Sequence, residues 1–359
     1  MKKINKDISL ANTLTGDFYC SDTIFNDLKV KVFERSWQYI CSDADLKIKN
    51  SVVPFVLLDK FISEPLMLIK NSYKISCLSN VCTHRGNILV DKKTIFNGNI
   101  VCGYHGRSFN KNGDFVSMPE TKDIKNFPCI DDNLSNINLE NWFQFIFISL
   151  DPVISFDKII SDMSGRISWM PIDKFILRED LSKSYTIDAN WALYCDNYLE
   201  GFHIPFIHKD LKATLDYKKY DVEIFEFSNL QIGYAEEDDI CFDFPVDSID
   251  YGKNIAAYYF WIFPNMMFNF YPWGLSINIV KPISAKKTEI EFKTFVWDET
   301  KLQLGAGADL DKVELEDEEI VQRVQKGVNS RFYKQGRFSP NMEKGVHHFH
   351  RLISKFMFK

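Results

Sequence analysis

Several features that mark common protein classes are missing from this chain of 359 residues. The start, "MKKINKDISLANTLTGDF", carries lysines but lacks the apolar segment of roughly 7–15 residues that a signal peptide needs, so secretion is not expected. No stretch supplies the about 20 nearly uninterrupted apolar residues of a membrane helix. The most apolar region, Ile255 to Val280, is broken by Pro264, Asn265, Asn269 and Pro272 and reads as buried strands. Basic and acidic residues are interspersed and the net charge is −6, which leaves no footprint for nucleic acid. There is no GxGxxG fingerprint, no candidate flavin motif, no internal repeat and no low-complexity linker. The 8 cysteines are scattered, not set in a compact disulfide framework. With neither a signal peptide nor a membrane helix the chain is expected to be cytoplasmic, and in that reducing compartment the cysteines would be free thiols or metal ligands.

What the chain does have is aromatic. Its 31 Phe, 15 Tyr and 7 Trp must mostly fill core, but they make an aromatic-lined pocket easy to build. Residues 22–37 carry Ile24, Phe25, Leu28 and Val32 at helical spacing, with Ser21 or Asp22 as cap. From Ser51 to about Leu150 the pattern changes to short strands and turns, including "PLMLIK", "YKISCL", "NKNGDF" and "WFQFIFISL". The second half has a helical segment at Asn190–Gly201, strands such as "VEIFEF", "AAYYFWIF", "LSINIV" and "TEIEFKTFVW", and helices over 311–333 and 342–357. A small all-β module ahead of an antiparallel sheet covered by helices is an α+β architecture. The boundaries read as an N-terminal helical segment 1–40 packing on the last domain, a β domain 41–155 and a catalytic domain 156–359.

Two Cys/His pairs stand out among only 7 histidines: "CTHRG" holds Cys82 and His84, and "CGYHG" holds Cys102 and His105. Thiolate and imidazole suit soft or borderline metals, and Gly86, Gly103 and Gly106 let the backbone come close or take positive φ. Structural zinc usually pairs Cys with Cys and His with His along the sequence. One Cys and one His from each of two loops is what a Rieske [2Fe–2S] centre requires, with Cys82 and Cys102 on one iron and His84 and His105 on the other. Both tokens closely resemble the Rieske motif. Such a cluster relays single electrons and cannot by itself be the chemistry.

A second motif lies in "NWALYCDNYLEGFHIPFIH", residues 190–208. His203 and His208 are five apart, about 140° around an unbroken helix. Pro205 disfavours helix at Ile204, so the helix should end near His203 and let His208 fold back. Two imidazoles and one carboxylate form the facial triad of non-haem Fe(II), with positions left for O₂. Asn190 and Trp191 should cap and pack this helix.

Taken together, the motifs resemble the catalytic α subunit of Rieske non-haem iron oxygenases, the ring-hydroxylating oxygenase superfamily, nearly end to end. The resemblance implies a Rieske domain, a helix-grip catalytic domain, a trimeric ring and a carboxylate bridging the two metal sites of neighbouring subunits. Glu200, three residues before His203, matches that bridge, and its carboxylate can orient His203. Glu in "DNYLE" resembles the quaternary-ammonium branch, which includes carnitine, glycine betaine and choline oxygenases. The third iron ligand would come from "EDEEIVQRVQKG": Asp317, eight before Gln325, fits the family pattern best, with Glu318 next. The histidines of "VHHFH", His347, His348 and His350, should serve packing and surface roles.

The reaction implied is oxygenation by O₂. With no dinucleotide or flavin motif in the chain, electrons would come from a separate NAD(P)H-dependent reductase. One substrate class is a quaternary ammonium compound, hydroxylated beside nitrogen to give demethylation or C–N cleavage. Tyr194, Tyr198, Phe202, Phe206, Trp261, Phe263 and Trp273 are candidates to face the cation. The alternative is hydroxylation of an aromatic ring in an apolar slot formed by the same residues. A remote third reading is a zinc or electron-transfer protein without catalysis.

Overall fold

Strand-rich sequence before residue 152 and the strands after residue 175 form separate sheets. The computed structural model describes residues 3–71, 74–207, 221–235, 239–302, 304–307 and 310–358. It divides into one unit of residues 37–152 and another of residues 1–36 with 153–359. Among the described residues no helix is long and apolar enough to cross a membrane.

The larger unit begins with helix α1 (Asp22–Leu28), capped by Ser21 and continued by a wider turn through Phe33. The smaller unit carries β1 (Gln38–Ser42), β2 (Ser51–Leu57), β3 (Glu64–Lys70), β4 (Ile75–Ser79), β5 (Thr94–Ile95), β6 (Ile100–Val101), β7 (Ser108–Phe109), β8 (Phe115–Ser117), β9 (Asn136–Trp142) and β10 (Phe145–Ser149). Seven of these form an antiparallel sheet ordered β1-β10-β9-β4-β3-β2-β5, and β6-β7-β8 form a second, small one. The "NKNGDF" turn joins β7 and β8. There Asn110 Oδ1 accepts the backbone N–H of Asn112 and Asp114 at 2.8 and 3.0 Å.

The two Cys/His loops of this unit have the same backbone fold. Cys82 N–H donates to Asn87 O at 2.8 Å and Gly86 N–H to Cys82 O at 3.0 Å; Cys102 N–H donates to Arg107 O at 2.7 Å and Gly106 N–H to Cys102 O at 3.0 Å. Each loop turns through a glycine at positive φ, Gly86 at 70° and Gly106 at 71°, where a side chain would be strained. Asp132 ties the loops together, because its carbonyl accepts both Thr83 Oγ1 at 2.8 Å and Arg107 Nη2 at 3.1 Å. Its carboxylate pairs with Arg107 at 2.6 Å, and the buried guanidinium lies 4.7 Å from the Phe115 ring centroid.

In the larger unit, α2 (Phe156–Arg166), β11 (Ile176–Leu177), β12 (Lys183–Ile187), α3 (Trp191–Tyr198) and α4 (Ile204–Ile207) precede β13 (Asp221–Ile224), β14 (Ser228–Tyr234), β15 (Ile255–Ile262), β16 (Met266–Tyr271), β17 (Gly274–Ser284) and β18 (Lys287–Val296). Helices α5 (Leu310–Val328) and α6 (Lys344–Met357) follow. The strands make an antiparallel sheet, β11-β18-β17-β16-β15-β14-β13, with β12 also on β18. β15 to β17 are buried on both faces, which is why they read as an almost unbroken apolar run. Expected "VEIFEF" is not one strand: it turns after Ile224 into β14, with Phe225 N–H donating to Ser228 O at 3.0 Å.

α3 is set by its ends. Asn190 caps it, accepting from Ala192 N at 3.0 Å and donating Nδ2 to Ala285 O at 2.7 Å. Trp191 is fully buried between Phe33 and Phe349. The helix stops at Tyr198, five residues short of the expected end at His203. Pro205 is not the breaker: it sits in the first turn of α4, where its missing N–H costs nothing. The break comes instead at Glu200, whose carboxylate takes the N–H groups of Phe202 and His203.

Two consequences can be measured. A Cβ on Gly345 of α6 would overlap the Leu199 carbonyl oxygen, whereas one on Gly327 of α5 meets nothing within 4 Å. Gly345→Ala should therefore cost about 1–3 kcal/mol and lower the unfolding midpoint, while Gly327→Ala keeps or raises it. The second concerns Asp132, whose carboxyl is held below its usual pKa first by the Cys129 N–H and then by Arg107. A folded value below the unfolded one, about 3.9, gives stability that is whole above that pH and lost as acid passes the folded value. Urea midpoints of the full chain, followed by near-UV circular dichroism, should fall more steeply below about pH 4 in wild type than in Asp132→Asn.

Candidate metal centres

Within the smaller unit, His84 and His105 stand with ring centroids 4.7 Å apart, and the thiols of Cys82 and Cys102 are close enough to hydrogen-bond one another. Burial pushes the Cys102 thiol up, but the Tyr104 N–H, the Cys82 thiol, the His105 N–H and the Asn87 amide outweigh it and bring the net pKa below the usual range. Asn87 Nδ2 lies 3.5 Å from Cys102 Sγ. His84 Nδ1 is buried without a hydrogen-bond partner, an arrangement that normally costs about 1–3 kcal/mol. A metal bonded to that nitrogen removes the penalty, so the residues fit an iron–sulfur cluster.

In the larger unit the Glu200 turn orients His203. Glu200 Oε1 lies 2.8 Å from His203 Nδ1, and Oε2 accepts the His203 backbone N–H at 3.1 Å. That hydrogen bond leaves Nε2 for another partner, and Asp317 Oδ1 of α5 lies 3.5 Å from it. One ion bonded at about 2.1 Å to each atom spans such a gap. Asn197 Nδ2 holds the same Asp317 oxygen at 2.7 Å. Glu318, the other expected candidate, has Oε1 buried without a hydrogen-bond partner, and burial raises its pKa. His208 lies outside the described residues.

Among the described residues no three His, Cys, Asp or Glu groups converge as a ligand set for one ion. This agrees with two protein ligands per iron in the cluster and with His208 lying outside the description. The tail histidines do not gather either. His347 Nε2 meets Asn5 O at 2.8 Å, and His348 lies against Trp261 with its pKa lowered to about 4, chiefly by burial. His350 Nδ1 accepts from Leu14 N at 3.2 Å, and its Nε2 reaches Asp196 Oδ1 at 2.8 Å. All three are buried, so the packing role holds and the surface role does not.

A cavity opens beside His203, Glu200 and Asp317. Its walls include Tyr194, Tyr198, Tyr259, Tyr271 and Phe292. Of the aromatic candidates, only Tyr194 and Tyr198 are among these. Phe202 and Phe206 are 41% and 72% exposed and line no part of it. Trp261 packs under α6 against Phe349, Phe263 against Phe356, and Trp273 stacks on Tyr271 at 5.0 Å, so these three are core. Tyr259 precedes Trp261 by two residues on the same face of β15, but lies farther along the strand, at the cavity. Sequence reasoning missed Glu314, Gln231, Asn269, Ser276 and Asn278, which also line it. The available signal was polar residues two apart, Ser276 and Asn278, in an otherwise apolar strand.

The family profile "Rieske [2Fe-2S] domain" matches residues 36–128, and "Ring hydroxylating alpha subunit (catalytic domain)" matches residues 176–358. The chain is 30% identical to the chloroplastic choline monooxygenase of Arabidopsis thaliana over 96% of its own length and 82% of that protein's. It is 25% identical to the carnitine monooxygenase oxygenase subunit of Escherichia coli (strain K12), over 96% of this chain and 93% of that one. A crystal structure of the quaternary ammonium Rieske monooxygenase CntA shares the fold, with a TM-score of 0.79, 22% identity and 99% of each chain covered. Two profiles in tandem, each enclosing one of the two sites, and full-length relatives place this chain in the ring-hydroxylating oxygenase α-subunit family, as a Rieske non-haem iron oxygenase.

Proposed function

We propose that this oxygenase hydroxylates a quaternary ammonium compound beside its nitrogen, with electrons supplied by a separate NAD(P)H-dependent reductase. The observation that carries this reading is the cavity beside His203 and Asp317, walled by four tyrosines whose ring faces suit a cation. The full-length relatives named for choline and carnitine support it.

The cluster would be held by Cys82 and Cys102 on one iron and His84 and His105 on the other, and the mononuclear iron by His203, His208 and Asp317. When bound, these groups relay single electrons and activate O₂ for insertion into a C–H bond. This chain's residues do the rest. Glu200 fixes the ring of His203 through Nδ1 and is the carboxylate that links metal sites of neighbouring subunits in a trimer. Asn197 holds Asp317, and the tyrosines orient the cation and keep water from the site.

The test is oxygen uptake and product analysis with the iron-replete protein, a reductase, NADH and a panel of quaternary amines. Consumption of O₂ only with an aromatic hydrocarbon, and with no amine, would select ring hydroxylation instead. Cys102→Ala should abolish the EPR signal of the reduced cluster. His208→Ala should keep that signal while iron analysis shows the mononuclear ion lost. Glu200→Gln should leave both metals bound yet slow single-turnover oxidation of the pre-reduced cluster about 10–100-fold. Oxidation at the wild-type rate would make Glu200 structural.

A further inference from the structure

The same cavity carries a pattern of charge and hydrogen-bonding capacity that the cation reading leaves unused. Among its described lining residues Glu200, Glu314 and Asp317 are acidic, and none is Lys or Arg. Glu200 and Asp317 stand against His203, whereas Glu314 sits one helical turn before Asp317 on α5. Glu314 is buried at 8% exposure, and the Tyr194 hydroxyl donates to its two oxygens at 2.8 and 2.9 Å. Burial, then the charge of Glu314, holds the Tyr194 phenol well above its ordinary pKa, so this hydroxyl keeps its proton and fixes the carboxylate without neutralising it.

One residue lining the cavity also has a hydrogen-bond acceptor with nothing to accept. Gln231 is 1% exposed, and its Nε2 donates to Tyr198 O at 2.7 Å, which settles which way the amide points. Its Oε1 is buried with no hydrogen-bond partner. Nearby amides are already used: Asn269 Oδ1 takes the Tyr198 hydroxyl at 2.6 Å, while Asn278 Oδ1 takes Asn269 Nδ2 at 3.1 Å and Ser276 Oγ at 3.2 Å. What the site lacks is therefore a donor.

Resting on the quaternary ammonium reading above, we infer that the substrate is an ammonium alcohol, with Glu314 as counter-charge to the ammonium and Gln231 Oε1 accepting the hydroxyl proton. A zwitterion ending in carboxylate brings a like charge toward Glu314, and one without a hydroxyl, such as γ-butyrobetaine, also has no hydrogen to give Gln231. A hydroxyl supplies that hydrogen and pairs the Gln231 oxygen.

The experiment is calorimetric titration of the iron-replete enzyme, without reductant, using four probes: choline, tetramethylammonium, γ-butyrobetaine and the neutral choline isostere 3,3-dimethylbutan-1-ol. Wild type should bind choline at least about tenfold more tightly than γ-butyrobetaine and than the neutral isostere. Glu314→Gln should weaken choline about tenfold or more and leave the neutral isostere unchanged. Gln231→Leu should weaken choline and leave tetramethylammonium unchanged. γ-Butyrobetaine binding wild type as tightly as choline overturns the inference and leaves the quaternary ammonium reading standing, as does unaltered choline affinity in Glu314→Gln. Binding of none of the three ammonium probes, alongside turnover of an aromatic hydrocarbon, overturns both. The wild-type comparison needs no variant to fold.

Discussion

The larger unit's metal site depends on the register of α3 against α5. Two hydrogen bonds set it: Asn190 N–H to Gln325 Oε1 at 2.7 Å, and Asn197 Nδ2 to Asp317 Oδ1 at 2.7 Å. They are separated by seven residues on α3 and eight on α5, in opposite chain directions, or about 10.5 and 12 Å at 1.5 Å per residue. The two helices therefore run antiparallel with matched anchor spacing. A slip of one residue would swing each side chain by about 100° and leave buried amides unpaired. Each bond contributes only about 1 kcal/mol when made, but an orphaned buried partner costs about 1–3 kcal/mol. Register is thus enforced more by the penalty for error than by the reward for success.

The smaller unit solves a related problem with loops. Its two Cys/His turns share backbone hydrogen bonds and a glycine at positive φ, yet they place histidine two residues after Cys82 and three after Cys102. Equal backbones with unequal spacing bring His84 and His105 face to edge instead of stacking them in parallel, with ring planes 69° apart. Neither loop is stiff alone. The shared acceptor at Asp132, held by a buried guanidinium, makes one object of the two.

What was legible in the sequence was local. Cys82 with His84 and Cys102 with His105 lie within a few residues, so spacing suggested their meeting, while Glu200 beside His203 was singled out by the resemblance to the family. Asp317 was different: among four consecutive acids only the resemblance to the family singled it out, and its contact with α3 is what sets it against His203. The end of α3 was misplaced because Pro205 is a loud signal and a carboxylate capturing two N–H groups is a quiet one. The pocket aromatics were misassigned for another reason. In strands buried on both faces, alternation disappears, so Tyr259 at the cavity and Trp261 in the core carry the same apolar signature.

The polar residues in that sheet then take on a definite meaning. Asn269, Ser276 and Asn278 stood out in the sequence, if at all, as interruptions of an apolar run, and in the fold they are buried in its centre. Apolar side chains at these positions would serve stability better, since burying an amide gains little even when it is fully paired. The cost is carried by the aromatic and aliphatic mass around them, Phe260, Phe268, Ile277 and Ile279 among others, which is buried nearly completely. Where local chemistry departs from what packing alone would choose, a site is the usual cause. Here the departures do not scatter over the sheet. Together with Glu314 and Gln231 they fall on one cavity, next to His203.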